Sequence, residues 1–389
     1  MRVPDVDIDL FADATLDDTP RWYGALREAG AIAHLPRNGL YAVTRFDSVR
    51  AALRADSVLV SRYGVAANDV INGTPADTTL TSDGETHARR RAILTRPLRP
   101  QSLGDVGERI DAAAHALVDR LVGEPSFCGV RDFAAHLPVS IVSDLVGLEE
   151  SGREHMLDWA AATFNALGPM NDRTREALAR ALGLIAYVRE LTPERMRPGG
   201  WASGVFAEME AGTLTPMEAA MMVVDYVAPS LDTTILATAH MLWRLGVTDG
   251  AFDALREDPA LAGSLVDETV RLSSPIREFT RFAETDYVTD DGTVPAGNRL
   301  AVLYASANWE ERHYPQADRF VIDRNPRDHV AWGHGVHLCA GKHLARMEIQ
   351  ALALALARKV RRIEVGEPVP LVNNVLQGFE ALPARLAAA

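Results

Sequence analysis

The stretch from Thr215 to about residue 246 constrains this chain more than any other. Thr215 suits the N-cap of a helix, Pro216 its first position and Glu218 the third place of a capping box. The residues that follow, MEAAMMVVDYVAPSLDTTILATAHMLWRLG, keep a helical apolar period. About 30 residues at about 1.5 Å each make a rod of about 45 Å, long enough to cross the whole molecule, so its middle is expected in the interior. That middle holds Pro229, Ser230, Asp232, Thr233 and Thr234, poor helix-interior residues that include an acid costly to bury alone. Two readings stand: a kinked surface helix with Asp232 in water, or a buried irregularity kept for chemistry. A proline inside a helix beside a buried acid favours the second.

A rod of that length needs a large core, and 389 residues with 47% hydrophobic and 24% charged side chains can supply one. Helical periodicity runs from about 85 to 273 and returns over about 339–360, while shorter β-like runs lie at about 30–60 and 275–330. PRWYGALREAG and SVRAALRAD read as helices on either side of a strand in LYAVTRF, and the tail VLQGFEALPARL has further strand character. No repeat or low-complexity linker divides the chain, so one domain, 1–389, is expected, mostly α with a minor β part. Forty Lys and Arg against 53 Asp and Glu give a net charge of −13, which argues against nucleic acid or an anionic membrane as partner. The acid-rich start, MRVPDVDIDLFADATLDD, has neither the pattern of a signal peptide nor that of a membrane anchor. Two cysteines, Cys128 and Cys339, suit a reducing compartment better than a disulfide framework, and a cytoplasmic location is expected.

Cys339 sits in Trp332-Gly333-His334-Gly335-Val336-His337-Leu338-Cys339-Ala340-Gly341, directly before a helical pattern. The unpaired N–H groups and positive end of a helix favour a thiolate there, and the glycines at 333, 335 and 341 let backbone or a flat ligand come close. A lone cysteine is more often a small buried hydrophobe, but three spaced glycines and a following helix point to a ligand loop. One thiolate without a second cysteine nearby makes a poor structural zinc site; haem iron, which needs one axial protein ligand, fits better. A cysteine nucleophile with His337 as its base is disfavoured, because two residues apart on one loop is poor geometry.

Gly-x-Gly-x-His-x-Cys-x-Gly, from Gly333 to Gly341, resembles the haem-ligand signature of the cytochrome P450 enzymes, with Trp332 where that family usually has Phe. The segments fall in the family's order across essentially the whole chain. The resemblance implies the P450 fold, a triangular helix-rich prism with small β-sheets, and haem b as cofactor with Cys339 as the axial ligand of its iron. Glu268 and Arg271, by themselves an ordinary surface pair at i, i+3, become by resemblance the Glu-x-x-Arg of a buried structural network. His87, Arg91, Arg281 and His337 become donors to the haem propionates, beside Gly333 and Gly341 of the ligand loop. Asp232 and Thr233 match the acid and alcohol that deliver protons during dioxygen activation. Pro229 and Ser230 replace the small Ala-Gly pair the family carries just before them.

The implied reaction cleaves dioxygen reductively, one atom entering an organic substrate and the other leaving as water. The chain has no glycine-rich dinucleotide fingerprint and no cysteine set for an iron–sulfur cluster, so NAD(P)H must act indirectly, through a ferredoxin or flavodoxin and its reductase. The acid-free run HARRRAILTRPLR would ordinarily be a solvated face; the resemblance implies that Arg89, Arg90, Arg96 and Arg99 include part of the docking patch for that partner. A finer likeness, in GREHMLDWAAATFNALGPMNDRTREA and NNVLQGFEALPARL, is to bacterial members that oxidise para-substituted benzoates, O-demethylating methoxybenzoates among them. It implies a small aromatic substrate, hydroxylated or O-demethylated, in a pocket lined by Phe164, Leu167, Ala228, Pro229, Ile276, Phe279 and Phe379. The alternative is that these are simply core residues. Those relatives hold the carboxylate with an Arg and serines on the long helix. Here the stretch offers Val224, Asp225 and Ala228, which leaves Arg62 or Arg277 as anchor, or a neutral methoxyphenol or aryl ether as substrate. Three other functions would keep Cys339: a peroxide-driven peroxygenase, a monooxygenase tailoring a secondary metabolite, and a non-catalytic haem sensor or carrier. The last has no need of Asp232 and Thr233.

Overall fold

The computed structural model describes residues 3–74, 77–149, 152 and 154–389. Short β-branched and aliphatic runs pair into a five-stranded sheet from β1 (Ile32–Leu35), β2 (Leu40–Val43), β3 (Leu59–Val60), β4 (Glu278–Ala283) and β5 (Arg299–Leu303), in the order β1-β2-β5-β4-β3. Only β2 and β5 run parallel. Phe279 lies opposite Val302 and Arg281 opposite Leu300, so the period of two puts Phe279 and Arg281 on one face. The apolar run at 40–43 announces its strand, but the hairpin partner β1 is not evident from the pattern. The β-like run expected to reach residue 330 ends at Leu303 instead. A short helix, Tyr304–Asn308, and then turns follow, in a polar stretch interrupted by Pro315 and Pro326. The tail does form strands: β6 (Val360–Val365) and β7 (Pro383–Ala388) pair antiparallel, with Phe127–Cys128 on the far side of β7.

The helical part contains α1 (Gly84–Leu94), α2 (Gly104–Val122), α3 (Met156–Ala166), α4 (Pro216–Val227), α5 (Asp232–Val247), α6 (Ala262–Ser273) and α7 (Lys342–Lys359). On α2 the buried residues Val106, Ile110, Ala114, Leu117, Val118 and Leu121 recur at helical spacing and make one apolar face, which packs on α7. The capping box at the start of α4 forms as its sequence requires: Glu218 N–H donates to Thr215 Oγ1 at 3.2 Å and Thr215 N–H to Glu218 Oε2 at 2.9 Å.

The long rod is broken in the middle. α4 ends at Val227 and α5 begins at Asp232, with residues 228–231 in turns. From Thr234 to Leu242 every α5 residue is buried, as expected of a helix apolar on all sides, and α3, α6 and α7 pack around it. By length and composition the 216–247 stretch could cross a membrane, but 67% of its most apolar window is buried inside the protein, where it serves as the central core element.

Candidate active site

Cys339 is fixed from both sides of its loop. Its N–H donates to Trp332 O at 2.7 Å, and Gly333 N–H closes the preceding turn on Val330 O at 2.8 Å. Gly333 and Gly335 have φ of 72° and 70°, which β-carbons resist, and a Cβ on Gly335 would lie 2.5 Å from Leu53 O. Gly341 differs: a Cβ there would meet nothing within 4 Å, so the chain itself leaves that place open. Val336 and Leu338 beside the cysteine are 45% and 38% exposed. The helix start does not by itself make a thiolate. Burial pushes the Cys339 thiol up, against the N–H groups of Gly341 and Lys342 and the charges of Arg91 and Lys342.

Four donors gather beside this loop. Arg91 on α1 donates Nη2 to Leu338 O, immediately before Cys339. His87, one turn earlier, is buried; its ring lies 4.3 Å from that of His337, and its Nε2 has no partner among the described residues. Burial, then the neighbouring charges of His337 and Arg91, hold His87 down at about 4. Arg281, buried on β4, donates Nη1 to Thr280 O at 2.9 Å, and its charge is felt at His337. The acid of the group is Asp83, 3.9 Å from His337 Nε2. Burial alone would raise it, but His337 and the N–H groups of Ser61 and Arg62 bring it down to about 2. Its sequence signal is weak, a single Asp just before the helix that carries His87. Two arginines bonded to backbone carbonyls, an orphaned imidazole nitrogen, a free thiol and an open glycine position fit a flat group with one axial site and two carboxylates. The donor set therefore fits haem.

On the other side stands the break between α4 and α5. Asp232 opens α5 with Oδ2 buried and unpartnered among the described residues, and burial pushes its carboxyl up to about 7. The acid at the middle of the rod is thus turned inward, while the break around it is partly open. Thr233 Oγ1 donates to Pro229 O at 2.9 Å and Ser230 Oγ to Tyr226 O at 2.5 Å, so two side-chain hydroxyls take the place of backbone donors across the break. Pro229 itself is exposed.

Glu268 and Arg271 form the buried network that the resemblance implied. Both are fully buried; Arg271 Nε and Nη2 donate to Glu268 Oε2 and Oε1 at 2.8 and 2.9 Å. Arg271 Nη1 reaches Asn308 O and Ala317 O, and Glu268 Oε1 also accepts from Val321 N–H and from Arg324 Nε. Arg324 is a third member that sequence spacing does not reveal.

Of the expected pocket residues, four come together. Phe164 on α3 clusters with Leu236, one turn beyond Asp232, and with Val375 and Leu376 of a tail loop; Leu167, Ile276, Phe279 and Leu371 pack against them. Asn68 closes one side by donating Nδ2 to Ala166 O at 2.9 Å and Gly168 O at 2.5 Å. Leu236 could have been found from its i+4 spacing to Asp232; Val375 and Leu376 carry no local signal. Ala228 is packed in the main core. Phe379 is not in the cluster: the chain turns at Gly378 (φ 154°), and Phe379 stacks on His240, 5.7 Å away, with Trp243 edge-on. Both lie two or more turns beyond Asp232 on α5. Neither arginine is free to anchor a carboxylate. Arg277 is buried behind the tail loop, with Nη1 donating to Asn373 O at 2.7 Å and Leu376 O at 2.6 Å, and Arg62 pairs with Asp83 and Glu284.

The basic run is also largely spent within the chain. Arg90 is buried between Glu218 and Asp77, Arg89 pairs with Glu218, and Arg96 bonds Glu208 at 2.7 Å. Against the effect of burial, Arg89, the Thr215 N–H and Arg90 bring Glu218 down to about 2. Arg99 is exposed and forms no ion pair among the described residues. The expected docking patch is corrected at Arg90, which is buried and cannot meet a partner; Arg89 stays half-exposed and Arg96 exposed while paired to Glu218 and Glu208.

A family model described as Cytochrome P450 matches residues 203–368. The chain is 34% identical to cytochrome P450 CYP199A2 of Rhodopseudomonas palustris, over 100% of this chain and 95% of the relative. It is 28% identical to cytochrome P450 107B1 of Saccharopolyspora erythraea, over 97% and 98%. Among solved structures, P450BioI in complex with hexadec-9Z-enoic acid ligated acyl carrier protein matches with a TM-score of 0.87 at 23% identity, covering 96% of this chain and 100% of that one. CYP109Q5 from Chondromyces apiculatus matches with a TM-score of 0.84 at 23% identity, covering 100% of both chains. The fold expected from the sequence is the one these structures share.

Proposed function

Because the chain belongs to the cytochrome P450 family of haem-thiolate monooxygenases, we propose that it oxidises a small aromatic compound, by hydroxylation or by O-demethylation of a methoxy group, at a haem b held by Cys339. The observation that carries the site is the gathering of His87, Arg91, Arg281 and His337 beside the free Cys339 thiol, with His87 Nε2 left unpartnered. When bound, haem b supplies reductive activation of dioxygen, with electrons from NAD(P)H relayed by an electron-transfer partner such as a ferredoxin.

Around that group the chain's own side chains divide the work. His87, Arg91, Arg281 and His337 would hold the two propionates by charge-assisted hydrogen bonds, and Arg91, through Leu338 O, also braces the segment that presents the sulfur. Asp232, with a carboxyl at about 7, takes up and releases protons near neutral pH. Its proton passes to Thr233 Oγ1, which hands its own hydroxyl proton, released from Pro229 O, to the reacting side. Phe164, Leu167, Ile276 and Phe279, with Leu236 and Leu376, orient an aromatic ring and keep water from it. Arg99 contributes to the electron donor's docking surface, and the protein works in the cytoplasm as one domain.

The absorption spectrum of the purified protein, reduced under carbon monoxide, is the test. A strongly red-shifted Soret band that disappears in Cys339→Ser supports the reading. Protein without haem, or with haem and no such band, overturns it.

A further inference from the structure

Among the described residues, the walls of the apolar cluster bring almost no positive charge to it. α3 carries no Lys or Arg, α5 none before Arg244, and the tail segment 371–378 none. The arginines on the remaining walls are engaged elsewhere. Arg277 grips the Asn373 and Leu376 carbonyls from behind the loop, and Arg62 pairs with Asp83 and Glu284. Arg281 shares the face of Phe279 but belongs to the donor group around His337.

Negative groups are present instead. Asp232 lies one turn from Leu236, with Oδ2 buried and unpartnered among the described residues, and it occupies the positive end of α5, where an anion would otherwise be welcomed. Asp225, half-buried on α4 before the break, accepts the Thr79 N–H at 2.7 Å and faces the charges of Arg90 and Arg91, so it adds no cation to the cluster either. A carboxylate entering this pocket would lose its water, gain no free cation among the described residues and meet an acid.

We infer that the substrate is an uncharged aromatic, an aryl ether or phenol, and not a benzoate anion. This rests on the cluster being the oxidation pocket. Calorimetric titration of the purified holoprotein with 4-methoxybenzoate and with 4-methoxyacetophenone, an uncharged molecule of similar shape, tests it. At about pH 8 the ketone is expected to bind at least about tenfold more tightly. Equal or tighter binding of the benzoate overturns the inference, as does binding of neither molecule. Leu167→Arg, at the half-buried edge of the cluster, is expected to shift the ratio of benzoate to ketone affinity at least about tenfold towards the benzoate; an unchanged ratio in a folded variant overturns the inference. The carbon monoxide spectrum of the same sample reports the haem–thiolate reading separately. A missing band sinks that reading, while the calorimetric ratio still decides this one.

Discussion

Glu268 and Arg271 meet on α6 with their hydrogen-bonding capacity met by the chain itself, whereas His87, Arg91, Arg281 and His337 meet beside Cys339 with theirs met only in part. Both groups gather charge inside the fold, the first on α6 with partners from a distant loop, the second between α1, β4 and the cysteine loop. In the first, each guanidinium nitrogen of Arg271 finds an oxygen and each carboxylate oxygen of Glu268 a donor. In the second, an imidazole nitrogen is orphaned, Arg91 reaches a backbone carbonyl, and Arg281 reaches the Thr280 carbonyl and the Tyr304 hydroxyl but no acid among the described residues. Buried polar groups are costly unless paired, so a cluster that the chain leaves incomplete marks where something else is meant to bind. The first cluster holds the fold together, and the second is finished by the cofactor.

Removing one member of the complete cluster should have the largest effect. Arg271→Leu leaves the Glu268 carboxylate buried with Arg324 as its remaining ion-pair partner and is expected to cost about 3–5 kcal/mol in thermal or denaturant unfolding, equally with and without haem. A loss confined to the haem-bound protein would erase the distinction between the clusters.

Asp232 is a single unpaired case of the same kind. Its carboxyl is raised from 3.8 to about 7, so the penalty for ionising it in the fold is fully present above about pH 7 and is lost as pH falls towards 3.8. Asp232→Asn should therefore be more stable than the parent by about 1–3 kcal/mol at about pH 8, the gap closing by about pH 4 in unfolding curves, while turnover falls.

The incomplete cluster should respond in the opposite way to the complete one. Arg281→Ala is expected to change the unfolding of the haem-free chain by less than about 1 kcal/mol, yet to speed haem loss about tenfold in transfer to an acceptor globin. The smallest effect is assigned to Arg99→Glu. Reduction by an acidic electron donor should slow about threefold at low ionic strength and recover in salt, with substrate titration unchanged.

Local chemistry in this molecule is legible where one segment contains all the partners. The capping box at Thr215, the cysteine loop with its glycines, the Glu268–Arg271 spacing and the acid at the rod's centre are each contained in one stretch of chain. The basic run misleads because its meaning depends on Asp77, Glu208 and Glu218. Two of these lie more than a hundred residues away, and the charge they cancel cannot be seen from HARRRAILTRPLR alone. The pocket is half legible for the same reason. Phe164, Leu167, Ile276 and Phe279 pack with Leu236, one turn beyond Asp232, while Phe379 follows a turn at Gly378, where a Cβ would lie 2.7 Å from Leu236. The break itself is implied by Pro229, but its exact extent depends on the hydroxyls of Ser230 and Thr233, which replace the missing donors.

Arg277 holds the tail loop by its carbonyl oxygens and touches none of that loop's side chains through those bonds. Val375 and Leu376 can therefore be exchanged for other residues while the backbone that carries them keeps its position. Position and chemical character are uncoupled along this wall, a frame on which a lineage can try new substrates one side chain at a time without rebuilding the fold.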